Sequence, residues 1–138
     1  MIYLDSCLLI YLIERPNDQG RMVSATLATA QLVRVDQQSL AISPLVKCEC
    51  LVGPIKRGDP MLEQAYNELF LQFVSLDMPE VIFLQAAELR ARFGINTPDA
   101  LHLACAQHHD CEELWTNDER LIRVSHGMAR NILAPRIR

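Results

Sequence analysis

Four acids spread widely along a chain of 138 residues hold most of the chemistry this sequence can offer. Asp5 ends the apolar run Ile2-Tyr3-Leu4 and is followed by Ser6 and a second apolar run, Cys7 to Ile13. Glu49 is the only acid between Asp36 and Asp59, and at helical spacing it shares a face with Leu45, Cys48 and Val52. Asp99 opens a segment whose body is Ala100, Leu101, Leu103, Ala104, Cys105 and Ala106, and Asp118 follows the run Leu114-Trp115-Thr116. An ionised side chain on a buried face is costly unless it is paired or bound to a metal. Each acid also has a structural use. Asp5 and Asp118 precede helices and can cap them, and Asp99 gains from the dipole of the helix it starts, effects of about 0.5–2 kcal/mol each. Gathered at one crevice, four carboxylates repel. With no basic partners nearby in sequence, the remedy is a hard divalent cation held by oxygen ligands.

Whether they meet depends on the elements between them. Ile2 to Leu4 reads as a buried strand and Ser6 to Ile13 as a helix, which puts Asp5 at the carboxyl end of a strand, where open α/β sheets place ligand chemistry. Pro16-Asn17-Asp18-Gln19-Gly20 reads as a turn, and Arg21 to Arg34 has a helical period in Met22, Val23, Leu27, Ala30 and Val33. Leu40-Ala41-Ile42 is the second strand. Ser43 as N-cap with Pro44 at the first position starts a helix to about Arg57, with a kink or split expected at Gly53-Pro54. A helix over Pro60 to Phe73 and a strand at Val74-Ser75-Leu76 follow. Next comes a helix from Pro79 to Arg92 with a broad stripe of Val81, Phe83, Leu84, Ala86, Ala87 and Ala91. Thr97-Pro98 opens the helix that carries Asp99 and runs to His109. It precedes the fourth strand, Leu114 to Thr116, so its amino end lies at the same sheet edge as Asp5 and Asp118. A short helix from Glu119 and a last strand near Ile132-Leu133 close the chain. Alternating strands and helices predict one α/β domain over residues 1–138, a parallel β-sheet of four to five short strands flanked by helices.

Composition sets the limits. Half of the residues are apolar, enough to bury about two thirds of the unfolded surface without staples. The first residues have no basic leader, and their apolar stretch is far below the roughly 18–20 residues of a membrane span, so a cytosolic protein is expected. The cysteines, Cys7, Cys48, Cys50, Cys105 and Cys111, lack the two-residue spacer of a zinc or redox motif and read as reduced core thiols. A net charge of −4 argues against a general nucleic-acid coat. It is compatible with a metal enzyme: without the four acids, thirteen of the seventeen acidic residues remain against thirteen basic ones.

The ordered set is more specific than any member of it. Ile2-Tyr3-Leu4-Asp5-Ser6, Glu49 in the second crossover helix, Pro98-Asp99-Ala100-Leu101-His102-Leu103-Ala104 and Thr116-Asn117-Asp118 resemble the PIN-domain ribonucleases, and within them the VapC-type toxins of bacterial toxin–antitoxin pairs. The resemblance spans residues 1 to about 122. It implies that Asp5, Glu49, Asp99 and Asp118 form a catalytic acidic cluster binding Mg2+ or Mn2+, with Ser6 beside the first acid and Asn117 beside the last. Some relatives carry a further acid near that end, where this chain has Asn117. The resemblance also implies an RNA substrate, cleavage by metal-activated water, a homodimer and a cognate antitoxin protein.

Residues around the acids have weaker signals. Arg120, Arg123, Arg130, Arg136 and Arg138 follow Glu119 with no intervening acid, and could contact phosphates, solvent or the antitoxin. His102 reads as a packed helical histidine, His108 and His109 as solvent-facing, and Trp115 as core. Two other functions fit the pattern less well. A phosphohydrolase of the haloacid-dehalogenase type needs a second aspartate two residues after the first, where Cys7 stands, and an inactive PIN-like interaction module would be expected to have lost some of the acids.

Overall fold

Ile2–Leu4 forms the central strand β1, and all three residues are buried. A strand covered on both faces must be apolar without interruption, which this run provides. A computed structural model of the protein describes residues 1–15, 18–32 and 39–133. Its other strands are β2 (Leu40–Ile42), β3 (Val74–Ser75), β4 (Glu113–Trp115) and β5 (Ala129–Arg130). They form one sheet in the order β3-β2-β1-β4-β5, and every neighbouring pair is parallel. Tyr3 stands in register with Ala41 on one side and Leu114 on the other, so β1 is hydrogen-bonded along both edges.

The helices among the described residues are α1 (Ser6–Glu14), α2 (Asp18–Leu32), α3 (Pro44–Arg57), α4 (Pro60–Phe70), α5 (Glu80–Phe93), α6 (Thr97–His108) and α7 (Glu119–Val124). The α/β class with a parallel sheet is as expected. In α6 every residue from Asp99 to Ala106 is buried, the signature of a helix enclosed on all sides. It packs against α5, α3 and β4. None of the described helices is long and apolar enough to cross a membrane.

Several boundaries differ from expectation for identifiable reasons. The last strand is Ala129–Arg130, whereas Ile132 and Leu133 lie in a turn. β4 sets that register, because Leu114 donates to the Met128 carbonyl and Thr116 to the Arg130 carbonyl. Asp18 to Gly20 belong to α2 rather than to a turn. Pro16, Asn17 and residues 33–34 of the expected helix lie outside the described residues. α3 continues unbroken through Gly53-Pro54. The proline is in its last turns and is buried, so packing offsets the lost backbone bond. α4 stops at Phe70, beyond which the amides of Leu71, Gln72 and Phe73 each bond three residues back, a tightened exit into β3. In α5 the buried positions are Ile82 and Ala86, while Val81, Phe83 and Leu84 of the expected stripe face outward. All five cysteines are free. Cys50, Cys105 and Cys111 are core, Cys7 is half-buried and Cys48 is exposed, contrary to the expectation for it.

Candidate functional site

The sheet order places a switch point between β1 and β4: connections from β1 lead toward β2 and β3 on one side, and β4 to β5 lies on the other. Open α/β sheets form a ligand crevice outside the carboxyl ends of such strands. Asp5 is the first residue after β1, and its backbone amide donates to the Trp115 carbonyl at 3.0 Å. Its carboxylate caps α1, with Oδ1 accepting from the Ser6 amide at 2.7 Å and the Ser6 hydroxyl at 3.3 Å. Oδ2 accepts from the Thr116 hydroxyl at 2.6 Å, and the Thr116 Oγ1 in turn accepts from the Asp118 amide at 3.1 Å. Thr116 is wholly buried and ties the two strand-end aspartates together. Sequence reasoning took it as the end of a strand. The available signal was a hydroxyl at the strand end that runs beside Asp5.

Glu49 comes from the crossover after β2. Ser43 caps α3, with Pro44 in its first turn, and the buried face of the helix is Val46, Cys50 and Pro54. The face predicted for Glu49 is not the core face, since Cys48 is exposed and Val52 is 56% exposed. Glu49 instead sits on the flank, half-buried, and reaches inward. Its Oε1 accepts from His102 Nε2 at 2.6 Å, and that nitrogen is 3.5 Å from Asp5 Oδ1. Ligand-type atoms of Asp5, Glu49 and His102 all lie within 4.8 Å of one another. Behind them, His102 Nδ1 is 2.7 Å from the Tyr3 hydroxyl, which is 2.6 Å from Ser43 Oγ. Burial opposes ionisation of Glu49, but the His102 hydrogen bond and charge, with help from the Ser6 hydroxyl, hold its carboxyl below the usual range. Burial likewise opposes charge on His102. The hydrogen bond to Glu49 and the charges of Asp5, Glu49 and Asp99 outweigh it, and the imidazole titrates above its usual range.

Asp99 occupies the first turn of α6, where the Asn96 side chain caps the helix by accepting from the Asp99 amide at 2.9 Å. Its Oδ2 is buried and has no hydrogen-bond partner. Burial, the neighbouring Asp118 carboxylate and the more distant Asp5 push the Asp99 carboxyl up to about 6. Asp118 caps α7 through Oδ1, which accepts from the amides of Arg120 at 2.9 Å and Leu121 at 3.3 Å. The expected capping uses of Asp5 and Asp118 therefore exist alongside their clustering. The structure brings Asp5 and Glu49 together through His102; Asp99 and Asp118 lie outside that three-residue group, with Asp99 close to Asp118 and within electrostatic reach of Asp5. An orphaned carboxylate oxygen beside an excess of negative charge is a donor set suited to a hard divalent cation.

The surrounding residues are placed less uniformly. Asn117 is exposed and donates its amide to the Tyr11 hydroxyl at 2.6 Å, bridging the loop before α7 to α1. Arg120 and Arg123 are exposed on α7. Arg130 pairs with Glu113 at 3.2 Å and lies 5.8 Å from the centroid of the Trp115 ring, while Arg136 and Arg138 lie outside the described residues. Trp115 is core, as expected. His109 is not solvent-facing: its side chain is 16% exposed and its Nε2 lies 2.8 Å from the Asp77 carbonyl, pinning the end of α6 to the loop before α5.

Comparison with known proteins identifies the arrangement. No curated protein matches the sequence. Among solved structures, the chain is similar to a toxin–antitoxin complex from Klebsiella pneumoniae, with 23% identity, a TM-score of 0.72, and coverage of 96% of this chain and 98% of that one. It is also similar to VapBC2 from Rickettsia felis bound to a promoter DNA fragment, with 22% identity, a TM-score of 0.75, and coverage of 95% and 98%. A third is VapC20 of Mycobacterium tuberculosis, a sarcin-ricin loop cleaving toxin, with 14% identity, a TM-score of 0.72, and coverage of 89% and 94%. These likenesses establish the fold. The PIN domain family matches residues 2–127, nearly the whole length over which the acids and the five strands are distributed, and the chain belongs to that family.

Proposed function

We propose that the protein is a divalent-metal-dependent endoribonuclease that acts in the cytoplasm as the toxin of a toxin–antitoxin pair. The observation that carries this reading is the buried, unpartnered Oδ2 of Asp99, close enough to Asp118 and Asp5 to feel both charges, while Asp5 in turn is grouped with Glu49 and His102. Those four carboxylates would hold Mg2+ or Mn2+. Such an ion lowers the pKa of bound water, neutralises a scissile phosphate and orients it for in-line attack. The chain's own groups set up that chemistry. Thr116 and Ser6 fix Asp5, Asn96 fixes the start of α6 beneath Asp99, and Asp118 keeps its carboxylate at the mouth by capping α7. Arg120 and Arg123, exposed on the helix that Asp118 caps, would supply contacts to the phosphates of an RNA strand.

The partner proteins follow the same reading. The similar structure from Klebsiella pneumoniae is a toxin–antitoxin complex, and this chain has apolar surface to spare. Phe83, with Pro44, Leu45, Met78 and Leu101, lines an open cavity of about 400 Å³, and Val81 and Leu84 are exposed on the same helix. Contiguous apolar surface of this kind marks a protein interface. We propose that this surface and the exposed Met22, Val52, Ile55 and Met61 serve the contacts with a second copy and with an antitoxin.

The test is cleavage of a mixed RNA panel with Mn2+, with and without chelator, by the wild type and by Asp5→Asn and Asp99→Asn. Losing a metal ligand forfeits several kcal/mol of transition-state stabilisation, so each variant should lose at least about 100-fold in rate while keeping the wild-type circular dichroism spectrum. Full activity in either variant, or turnover insensitive to chelator, would overturn the assignment.

A further inference from the structure

Glu49 differs from the other acids in how it is held. Asp5 and Asp118 are short, sit at strand ends and cap the helices that follow, so their backbone fixes them. Glu49 is on the flank of α3, its side chain is 31% exposed, and the buried face of that helix lies elsewhere. A glutamate so placed has three rotatable bonds and an open route to water, and α3 alone does not aim its carboxylate at Asp5.

The aiming comes from a closed circuit of buried side chains. Ser43, at the amino end of α3, meets Tyr3 of β1; Tyr3 meets His102 of α6; and His102 meets Glu49, back on α3. Ser43, Tyr3 and His102 are each at most 1% exposed. The ring of His102 also stands edge-on to that of Tyr3, with centroids 5.6 Å apart. Because an ionised carboxylate only accepts, Nε2 of His102 is the donor to Glu49. In the neutral imidazole Nδ1 then accepts from the Tyr3 hydroxyl, whose oxygen accepts from Ser43; in the imidazolium Nδ1 donates to the Tyr3 oxygen, and the Tyr3 hydroxyl donates to Ser43. Only Oε1 is engaged by His102, so the hold does not use both carboxylate oxygens. Tyr3 lies two residues before Asp5 on β1, which ties the position of Glu49 to the strand that delivers Asp5.

We infer that His102, Tyr3 and Ser43 are positioning residues that set the carboxylate of Glu49 for a cation which none of the three touches. The inference rests on the metal-site reading above and adds to it a buried support reaching through three elements. Groups that orient ligands from behind typically change metal affinity by about 10- to 100-fold when removed.

The experiment titrates Mn2+ into the full chain, following the free-ion signal by electron paramagnetic resonance, for the wild type, Asp5→Asn, Tyr3→Phe, His102→Leu and His102→Gln. Glu49→Gln is added alone and combined with Tyr3→Phe, and near-ultraviolet circular dichroism checks packing. Tyr3→Phe and His102→Leu should weaken Mn2+ binding by about 10-fold or more. His102→Gln, whose amide can replace the Nε2 donor, should recover most of the loss. In the Glu49→Gln background Tyr3→Phe should add nothing. Unchanged affinity in packed Tyr3→Phe, or the same loss whether or not Glu49 is present, would overturn the inference. So would a directly coordinated nitrogen in the electron spin echo modulation of bound Mn2+, which would make His102 a ligand. If His102→Leu fails to pack, Tyr3→Phe alone decides. A wild type that binds no Mn2+, or an Asp5→Asn variant that binds it as well as the wild type, would instead remove the metal site itself and this inference with it.

Discussion

Asp99 is where the costs of the site concentrate. Its carboxyl, pushed up to about 6 by burial and by Asp118 and Asp5, holds a proton in the folded protein at pH values where the unfolded chain has lost it. The folded state therefore binds more protons between the usual carboxylate range and about pH 6, and this group's contribution to stability is greatest below that window and lost as pH rises through it. His102, also titrating high, contributes with the same sign, whereas Glu49, held low, contributes stability that is lost as the solution is acidified. In the proposed metal site, a cation would take over from the proton on Asp99. Calorimetric scans should therefore show a Tm increase on adding Mn2+ that is larger at pH 7.5 than at pH 5. In the metal-free protein Asp99→Asn should raise Tm at pH 7.5 and flatten its decline with pH. A variant whose decline matches the wild type would mean that the repulsion lies elsewhere in the crevice.

At the scale of elements, the strand ends decide the geometry, and Thr116 shows how. One hydroxyl donates to Asp5 and accepts from the Asp118 amide, so β1, β4 and α7 share a single polar junction. Thr116→Val keeps the shape and leaves a buried carboxylate oxygen and an amide without partners, which costs about 1–3 kcal/mol. Thr116→Ser should be close to neutral. Urea unfolding of both variants reads the difference, and a loss in Thr116→Ser larger than that in Thr116→Val would show that the threonine methyl, rather than the bonds, matters. Helix starts and the central strands were legible in the sequence because their signals are local. Ser43-Pro44 and the apolar runs at Ile2 and Leu40 encode caps and burial directly. The faces of α3 and α5 were not legible. Apolar periodicity pointed to Leu45, Cys48 and Val52, and to a stripe of Val81, Phe83, Leu84 and Ala86, yet the fold buries Val46 and Cys50 in the one helix and Ile82 in the other, with Ala86 alone of those four stripe residues buried. A helix apolar on more than one face does not announce which one packs inward. Likewise the four acids could be read from order and spacing, but Thr116 and the circuit through His102 and Tyr3 depend on strand register and on α6 lying against α3, which only folding reveals.

The whole molecule presents a charge problem to its proposed substrate. The net charge is −4, equal to the charge of the four proposed site acids, which an RNA phosphate would have to approach. Neutralisation by a cation makes the approach possible, but steering must come from basic side chains near the mouth. Among the described arginines after Glu119, Arg130 pairs with Glu113, whereas Arg120 and Arg123 are exposed one turn apart on α7, directly after the Asp118 cap. If they meet phosphates, RNA binding should carry their counterion signature. For a single strand, the slope of log affinity against log salt falls in magnitude by about 0.7 for each contact removed. Binding of an uncleaved single-stranded RNA to Asp5→Asn, compared with the same protein carrying Arg120→Ala, Arg123→Ala or both, measures that slope. The double variant should lose about 1.4 and bind most weakly at low salt. A slope unchanged in the double variant would free α7 from the substrate and leave its arginines to a protein partner.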